Sequence, residues 1–237
     1  MIDKLSLDLL PRVLVLAGPS GSGKSEISAN LALQLNRSGS VVLIDLDLVK
    51  PLFRLRNARQ GIERFKIHLV TPGGEWDNSD FPVVPGEVNR WLSSDKRVII
   101  DVGGNGQGAK ILNQYRNLLD QAEFLMFFVC NPYRPFSGSP QSLQEQLESI
   151  ESQTGLKVKG IVSNPHLKEH TDSEIIKFGH ALVEDFSQRT GLPVLLVAVR
   201  EDLVPSVSFR TTPILPLKVF IRLPWEYESA EWKEEHV

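Results

Sequence analysis

Residues 18–25 read GPSGSGKS. The stretch fits G-x-x-x-x-G-K-[ST], with Gly18, Gly23, Lys24 and Ser25 at the specified places, between an apolar run, Arg12–Ala17, and an amphipathic one, Lys24–Arg37. A strand that runs through glycines into a helix turns successive backbone N–H groups inward. The free N–H groups at the helix start add partial positive charge, so the loop favours phosphate oxygens. Lys24 reaches toward the β/γ-phosphates and Ser25 offers a hydroxyl to Mg²⁺. The candidate nucleotide-contacting residues are therefore Gly18, Ser20, Gly21, Ser22, Gly23, Lys24, Ser25 and Glu26.

Six further short apolar runs follow: Val41–Asp45, Lys66–Thr71, Arg97–Asp101, Phe124–Cys130, Val158–Ser163 and Pro193–Val199. Each is rich in Val, Ile, Leu or Phe and bounded by turn residues, as a strand buried on both faces should be. Amphipathic stretches of helical length lie between many of them: Gly108–Leu119, Pro140–Thr154 and Ser173–Thr190 join the first, Lys24–Arg37. This alternation predicts an α/β fold, a mostly parallel twisted sheet of about seven strands with helices on both faces. We read residues 1–222 as one nucleotide-binding domain and 223–237 as an acidic, aromatic-bearing tail. In such sheets ligands gather beyond the carboxyl ends of the strands.

Acidic residues stand at those ends. VVLIDLD places Asp45 and Asp47 after the second strand, and RVIIDVGG places Asp101 after the fourth, followed by Gly103 and Gly104. A carboxylate there suits a Mg²⁺ site, reached directly or through water, and the glycine pair lets backbone approach a γ-phosphate. Ser25, Asp47 and Asp101 are the candidate metal residues; Lys24, Asp47 and Asp45 are the candidate catalytic residues. Each Asp alone would also suit the cap of a turn.

GPSGSGKS, then LIDLD, then IIDVGG, then GIVSNPHL resemble the MinD/ParA group of P-loop ATPases, within the wider class of signal-recognition, MinD and related NTPases. The resemblance spans roughly residues 10–205. DLDLVKPLFRLR, DVGG and NPYRP look closest to bacterial nucleotide-binding members of that group. It implies ATP and Mg²⁺ as ligands, with Asp101 acting through water and Asp47, beside Asp45, in a first switch that orients the attacking water. It also implies that Asn164 reads the adenine edge and that VREDLVP, residues 199–205, closes over the base. Pro19 stands where the group carries a lysine that reaches a partner's nucleotide. Nucleotide-driven homodimerisation thus lacks its usual group, for which Lys50, Arg54 or Arg56 would have to substitute.

Residues 50–66 hold six basic side chains and one acidic one. They read either as a nucleotide-responsive switch that docks a protein partner or as a solvated helix face, the simpler reading for Arg59 and Arg64. Asn131 and Arg134, after the fifth strand, fall on the ligand side of the sheet. The tail, with five glutamates against one lysine, would be repelled by anionic lipid and argues against a membrane anchor. Its aromatics suit a partner contact or packing back onto the domain. Cys130 is the sole cysteine, so no disulfide framework forms within one chain, and the separation of His166 and His170 without a third ligand does not suggest a metal site. A net charge of −3 argues against generic nucleic-acid binding. With no secretion pattern at the N-terminus, a cytoplasmic protein is expected.

Three functions remain open. The first is a Mg²⁺-dependent ATP-binding switch with slow ATPase activity, acting on a protein partner. The second is a small-molecule kinase, for which an arginine-bearing lid is lacking. The third is a nucleotide-binding scaffold without useful turnover. No N-K-x-D guanine reader and no LSGGQ-like segment occurs in the chain.

Overall fold

The computed structural model describes residues 9–47, 55–71, 86–104 and 106–221, with backbone alone at 56, 57, 106 and 107. Eight strands, β1 (Val13–Ala17), β2 (Val41–Asp45), β3 (His68–Val70), β4 (Arg97–Asp101), β5 (Phe124–Cys130), β6 (Gly160–Ser163), β7 (Val194–Arg200) and β8 (Ile214–Leu217), form one sheet. Their order is β3-β2-β4-β1-β5-β6-β7-β8, and every pairing is parallel. The seven expected strands are all present. The eighth escapes a sequence reading because prolines at 213 and 216 bracket and interrupt its short apolar run. Proline is tolerated there because β8 is an edge strand.

The strands' period of two decides what covers each face. Val13, Val15, Val42, Ile44, Val98, Ile100, Met126 and Phe128 point to one side, against α3 (Glu87–Leu92), α4 (Gly106–Gln114), α5 (Arg116–Ala122), α6 (Pro140–Thr154) and α7 (Ser173–Thr190). Leu14, Leu16, Leu43, Ile99, Phe127 and Val129 point to the other, against α1 (Lys24–Leu35) and α2 (Arg59–Glu63). Both faces are thus buried, which explains why the strands are apolar at nearly every position. The stretch expected as one helix over 108–119 divides at Tyr115 into α4 and α5. Helices α2 and α3, of five and six residues, are too short to show a helical period in the sequence. Among the described residues no helix is long and apolar enough to cross a membrane. Lys50, Arg54, the Arg56 side chain and the tail at 223–237 lie outside the described residues.

Strand order positions the site. From β1 the chain crosses to β2 and β3 and returns to lay β4 between β2 and β1, whereas β5 to β8 extend from the opposite side of β1. The loop after β1 therefore stands where the order of strands reverses, the place at which open parallel sheets bind ligands.

Candidate functional site

Helix α1 begins at Lys24, and its preceding residue, Gly23, has φ +94° with no side-chain cap on the helix. Two constraints demand glycine there. The left-handed φ disfavours any Cβ, and one built at Gly23 would lie 2.1 Å from Nδ2 of Asn164. An uncapped N-terminus leaves its backbone N–H groups directed at the loop's concave side. Lys24 is buried, and its Nζ donates to the carbonyl of Pro19 at 2.9 Å, so the ammonium spans the loop.

Two loops from other strands clamp this turn. Asn164, which follows β6, donates from Nδ2 to the Ser22 carbonyl at 2.8 Å. Arg134, after β5, donates from Nε to the Gly21 carbonyl at 2.9 Å. The base-reading position implied for Asn164 thus holds the phosphate-binding loop as well as lining the cavity beside it. Asn131, also after β5, ties its loop to the segment after β6: Nδ2 donates to the His166 carbonyl at 2.8 Å and Oδ1 accepts from the Tyr133 N–H at 3.1 Å.

The acidic residues converge on the other side of β1. In the β1–β4 pairing Leu16 stands opposite Asp101, and in the β2–β4 pairing Asp45 stands opposite Asp101. Asp45, Asp47 and Asp101 are all buried. The Asp45 carboxylate accepts from the Asp47 N–H at 2.8 Å, so Asp45 caps the turn leaving β2. The segment after Asp101 abuts the phosphate loop: a Cβ at Gly104 would lie 2.7 Å from the Ser20 nitrogen and 2.9 Å from the Pro19 carbonyl carbon. Only glycine permits this approach of Gly104 to residues 18–20 of the loop.

A cavity of about 600 Å³ opens from the loop. Its floor is Ser20, Gly21, Gly23, Lys24 and Ser25, and cationic Arg134, Lys168 and Arg200 stand around it. Burial lowers the pKa of His166, and the nearby Arg134 and Arg200 charges lower it further, against Glu169, which raises it. Outside the loop residues the lining is mostly apolar, with Pro165, Ile176, Ala198, Val199, Leu217, Val219 and Ile221. A polar floor with an apolar far end suits a ligand that carries phosphates on one side and a flat ring on the other.

Glu26 also lines the cavity, but its carboxylate is turned onto backbone, accepting from the N–H groups of Phe220 and Ile221, the latter at 3.1 Å. Removal from water raises its pKa from 4.5 to about 7, against the two N–H bonds that favour the charge. Leu217, Val219, Ile221 and Ile176 carry no motif and were not among the expected site residues. Arg59 is tied into the fold: it bonds Thr71 Oγ1 at 2.8 Å and pairs with Glu63 at 2.8 Å. Arg64 lies over the ring of Phe65.

Comparison with known proteins agrees with this fold. Residues 4–65, well under half of the chain, match the Zeta toxin family. Cobyrinate a,c-diamide synthase of Methanosarcina barkeri is 27% identical in an alignment 193 residues long that covers 68% of this chain and 38% of that protein. The chain thus spans well under half the length of this curated relative. Among solved structures, the signal recognition particle receptor FtsY of Elizabethkingia anophelis aligns over 85% of this chain and 63% of its own, with TM-score 0.56 and 22% identity. Cell division protein FtsY of Thermotoga maritima aligns over 83% and 68%, with TM-score 0.51 and 18% identity. The E. anophelis receptor in complex with GDP aligns over 80% and 57%, with TM-score 0.51 and 22% identity. The fold is that of the α/β P-loop NTPases.

Proposed function

We propose that this chain is a Mg²⁺-dependent nucleoside triphosphate switch of MinD/ParA type, with ATP as its nucleotide, slow hydrolysis and a protein partner. One observation carries the reading: the uncapped start of α1, with Lys24 in its first turn, opens into a largely apolar cavity, while Asp101 stands opposite Leu16 of β1, the strand that leads into the same loop. In this reading Lys24 and the backbone of residues 20–25 bind the phosphates. Ser25 holds Mg²⁺, with Asp101 acting through water and Asp47 nearby. Mg²⁺ would neutralise charge on the phosphates. The residue types fit it, since buried carboxylates stand at the ends of β2 and β4, and β4 pairs with β1, the strand that leads into the loop carrying Ser25.

Asp45 fixes the turn that presents Asp47, and Asp47 orients the attacking water. Without a trans-acting lysine, unassisted turnover falls near the order of 10⁻⁴ s⁻¹ typical of switch GTPases lacking their activator. Such turnover suits a two-state signal read by a partner at the segment after Asp47, in a cytoplasmic protein. Homodimerisation around nucleotide would need a different cation from the usual one.

ATP is favoured by the MinD/ParA-like motifs. GTP is the second reading, prompted by the GDP complex of a structural neighbour. Calorimetric titration with ATP, GTP and ADP in Mg²⁺, beside Lys24→Ala and with ADP release followed over a day, tests the proposal. Tighter binding of ATP than GTP, lost in the variant, with slow ADP formation, is the expected result. Binding of neither triphosphate would overturn it. An acceptor-dependent burst of ADP would replace the switch by a kinase, and tight binding with no ADP by a scaffold.

A further inference from the structure

After β8 the chain continues as an extended segment across the face of α1. Two α1 side chains one turn apart, Glu26 and Asn30, hold it. Glu26 accepts the N–H groups of Phe220 and Ile221. Asn30 makes a reciprocal pair with Lys218: its Oδ1 accepts the Lys218 N–H at 2.8 Å and its Nδ2 donates to the Lys218 carbonyl at 2.9 Å. Helix side chains thereby supply the hydrogen bonds that a ninth strand would otherwise have given this backbone.

The segment's alternation shows what the bonding achieves. Leu217, Val219 and Ile221 line the cavity, whereas Phe220 is turned inward, its ring 6.0 Å from that of Phe65. Val219 is 54% exposed, an apolar side chain left half open at the cavity. Ala198 and Val199 of β7 and Ile176 of α7 line the same cavity.

We propose that residues 217–221 form the nucleobase-facing wall of the cavity and that Glu26 and Asn30 are the positioning residues that hold this wall over the phosphate loop. The proposal rests on the nucleotide reading above and adds where the base lies. Because Glu26 directly follows Ser25, the wall is fixed by the same helix turn that binds phosphate. The distance from phosphate to base is thereby set by one rigid element. The ligand class it selects is a nucleotide with a flat aromatic base, and base-free polyphosphates bypass the wall.

The test compares MgATP with Mg-tripolyphosphate by calorimetry, for the full chain and for Glu26→Ala, Glu26→Gln and Val219→Gly. Val219→Gly touches an exposed position and keeps the test open should Glu26→Ala fail to fold. We expect wild type to bind ATP at least tenfold more tightly than tripolyphosphate. Glu26→Ala and Val219→Gly should each weaken ATP about tenfold while changing tripolyphosphate less than twofold. Glu26→Gln, which keeps one acceptor oxygen, should recover part of the loss. Equal weakening of both ligands, or of neither, would overturn the wall. A wild type that holds tripolyphosphate through Lys24 but gains nothing from the nucleoside would also overturn it, leaving the phosphate site intact. Binding of neither ligand to wild type would overturn the nucleotide reading itself, and the wall with it.

Discussion

The two ends of the cavity are built in opposite ways. At the phosphate end one run of eight residues, GPSGSGKS, supplies the five that make the floor, and its φ angles and missing side chains do most of the shaping. At the far end the lining comes from residues as distant in sequence as Glu26, Ile176, Val199 and Val219, brought together by strand order and by bonds between α1 and residues 218–221. Backbone conformation can be written in a local motif, whereas an apolar wall requires only that some hydrophobic side chain arrive there. The first end should therefore be brittle to single substitutions, and the second graded.

The largest contrast is expected from Lys24→Ala. Loss of a charge-assisted contact to phosphate costs about 3 kcal/mol, or on the order of 100-fold in affinity. It should fall equally on ATP and tripolyphosphate in a titration, because both use the same floor. Next is Gly23→Ala. The left-handed φ and the Asn164 amide 2.1 Å from the new Cβ should cost about 2 kcal/mol of stability, read from urea unfolding. The same change at Gly39, where a Cβ would meet nothing within 4 Å, should leave stability near wild type.

A comparable effect at the far end should depend on pH. The Glu26 pKa is raised from 4.5 to about 7 in the folded chain, so folding favours its protonated form. The stability this contributes is complete below about 4.5 and is lost as pH rises through about 7. Wild type should lose roughly 2 kcal/mol relative to Glu26→Gln between pH 5 and pH 8 in paired urea melts. A constant difference between the two would refute the assigned environment.

The smallest effect is expected far from either end. Ser139 caps α6 by accepting the Ser142 N–H, and Ser139→Ala should cost about 1 kcal/mol of stability with no change in ligand affinity.

This asymmetry also decides what can be read from the residues alone. Buried parallel strands announce themselves because both faces must be apolar, so β1 to β7 are legible in sequence, as is the helix start at Lys24. β8 is hidden by its prolines. The carboxylates at strand ends are visible as Asp after an apolar run, but that Asp45 and Asp101 face one another follows from β4 lying between β2 and β1, a crossover no local spacing records. Asn164 could be singled out by its position after β6. Its bond to Ser22, 142 residues away, could not. The wall at 217–221 was illegible for the same reason: Glu26 reads as one more residue of a helix start until the chain that bonds it is placed.

The most direct test of the account is a crystal structure with Mg²⁺ and a non-hydrolysable ATP analogue. We expect Lys24 Nζ, 2.9 Å from the Pro19 carbonyl in this structure, to bind the β- and γ-phosphates, with the base seated between Val199 and Val219. An analogue whose phosphates lie away from residues 20–25, or whose base leaves the 217–221 wall uncovered, would contradict it.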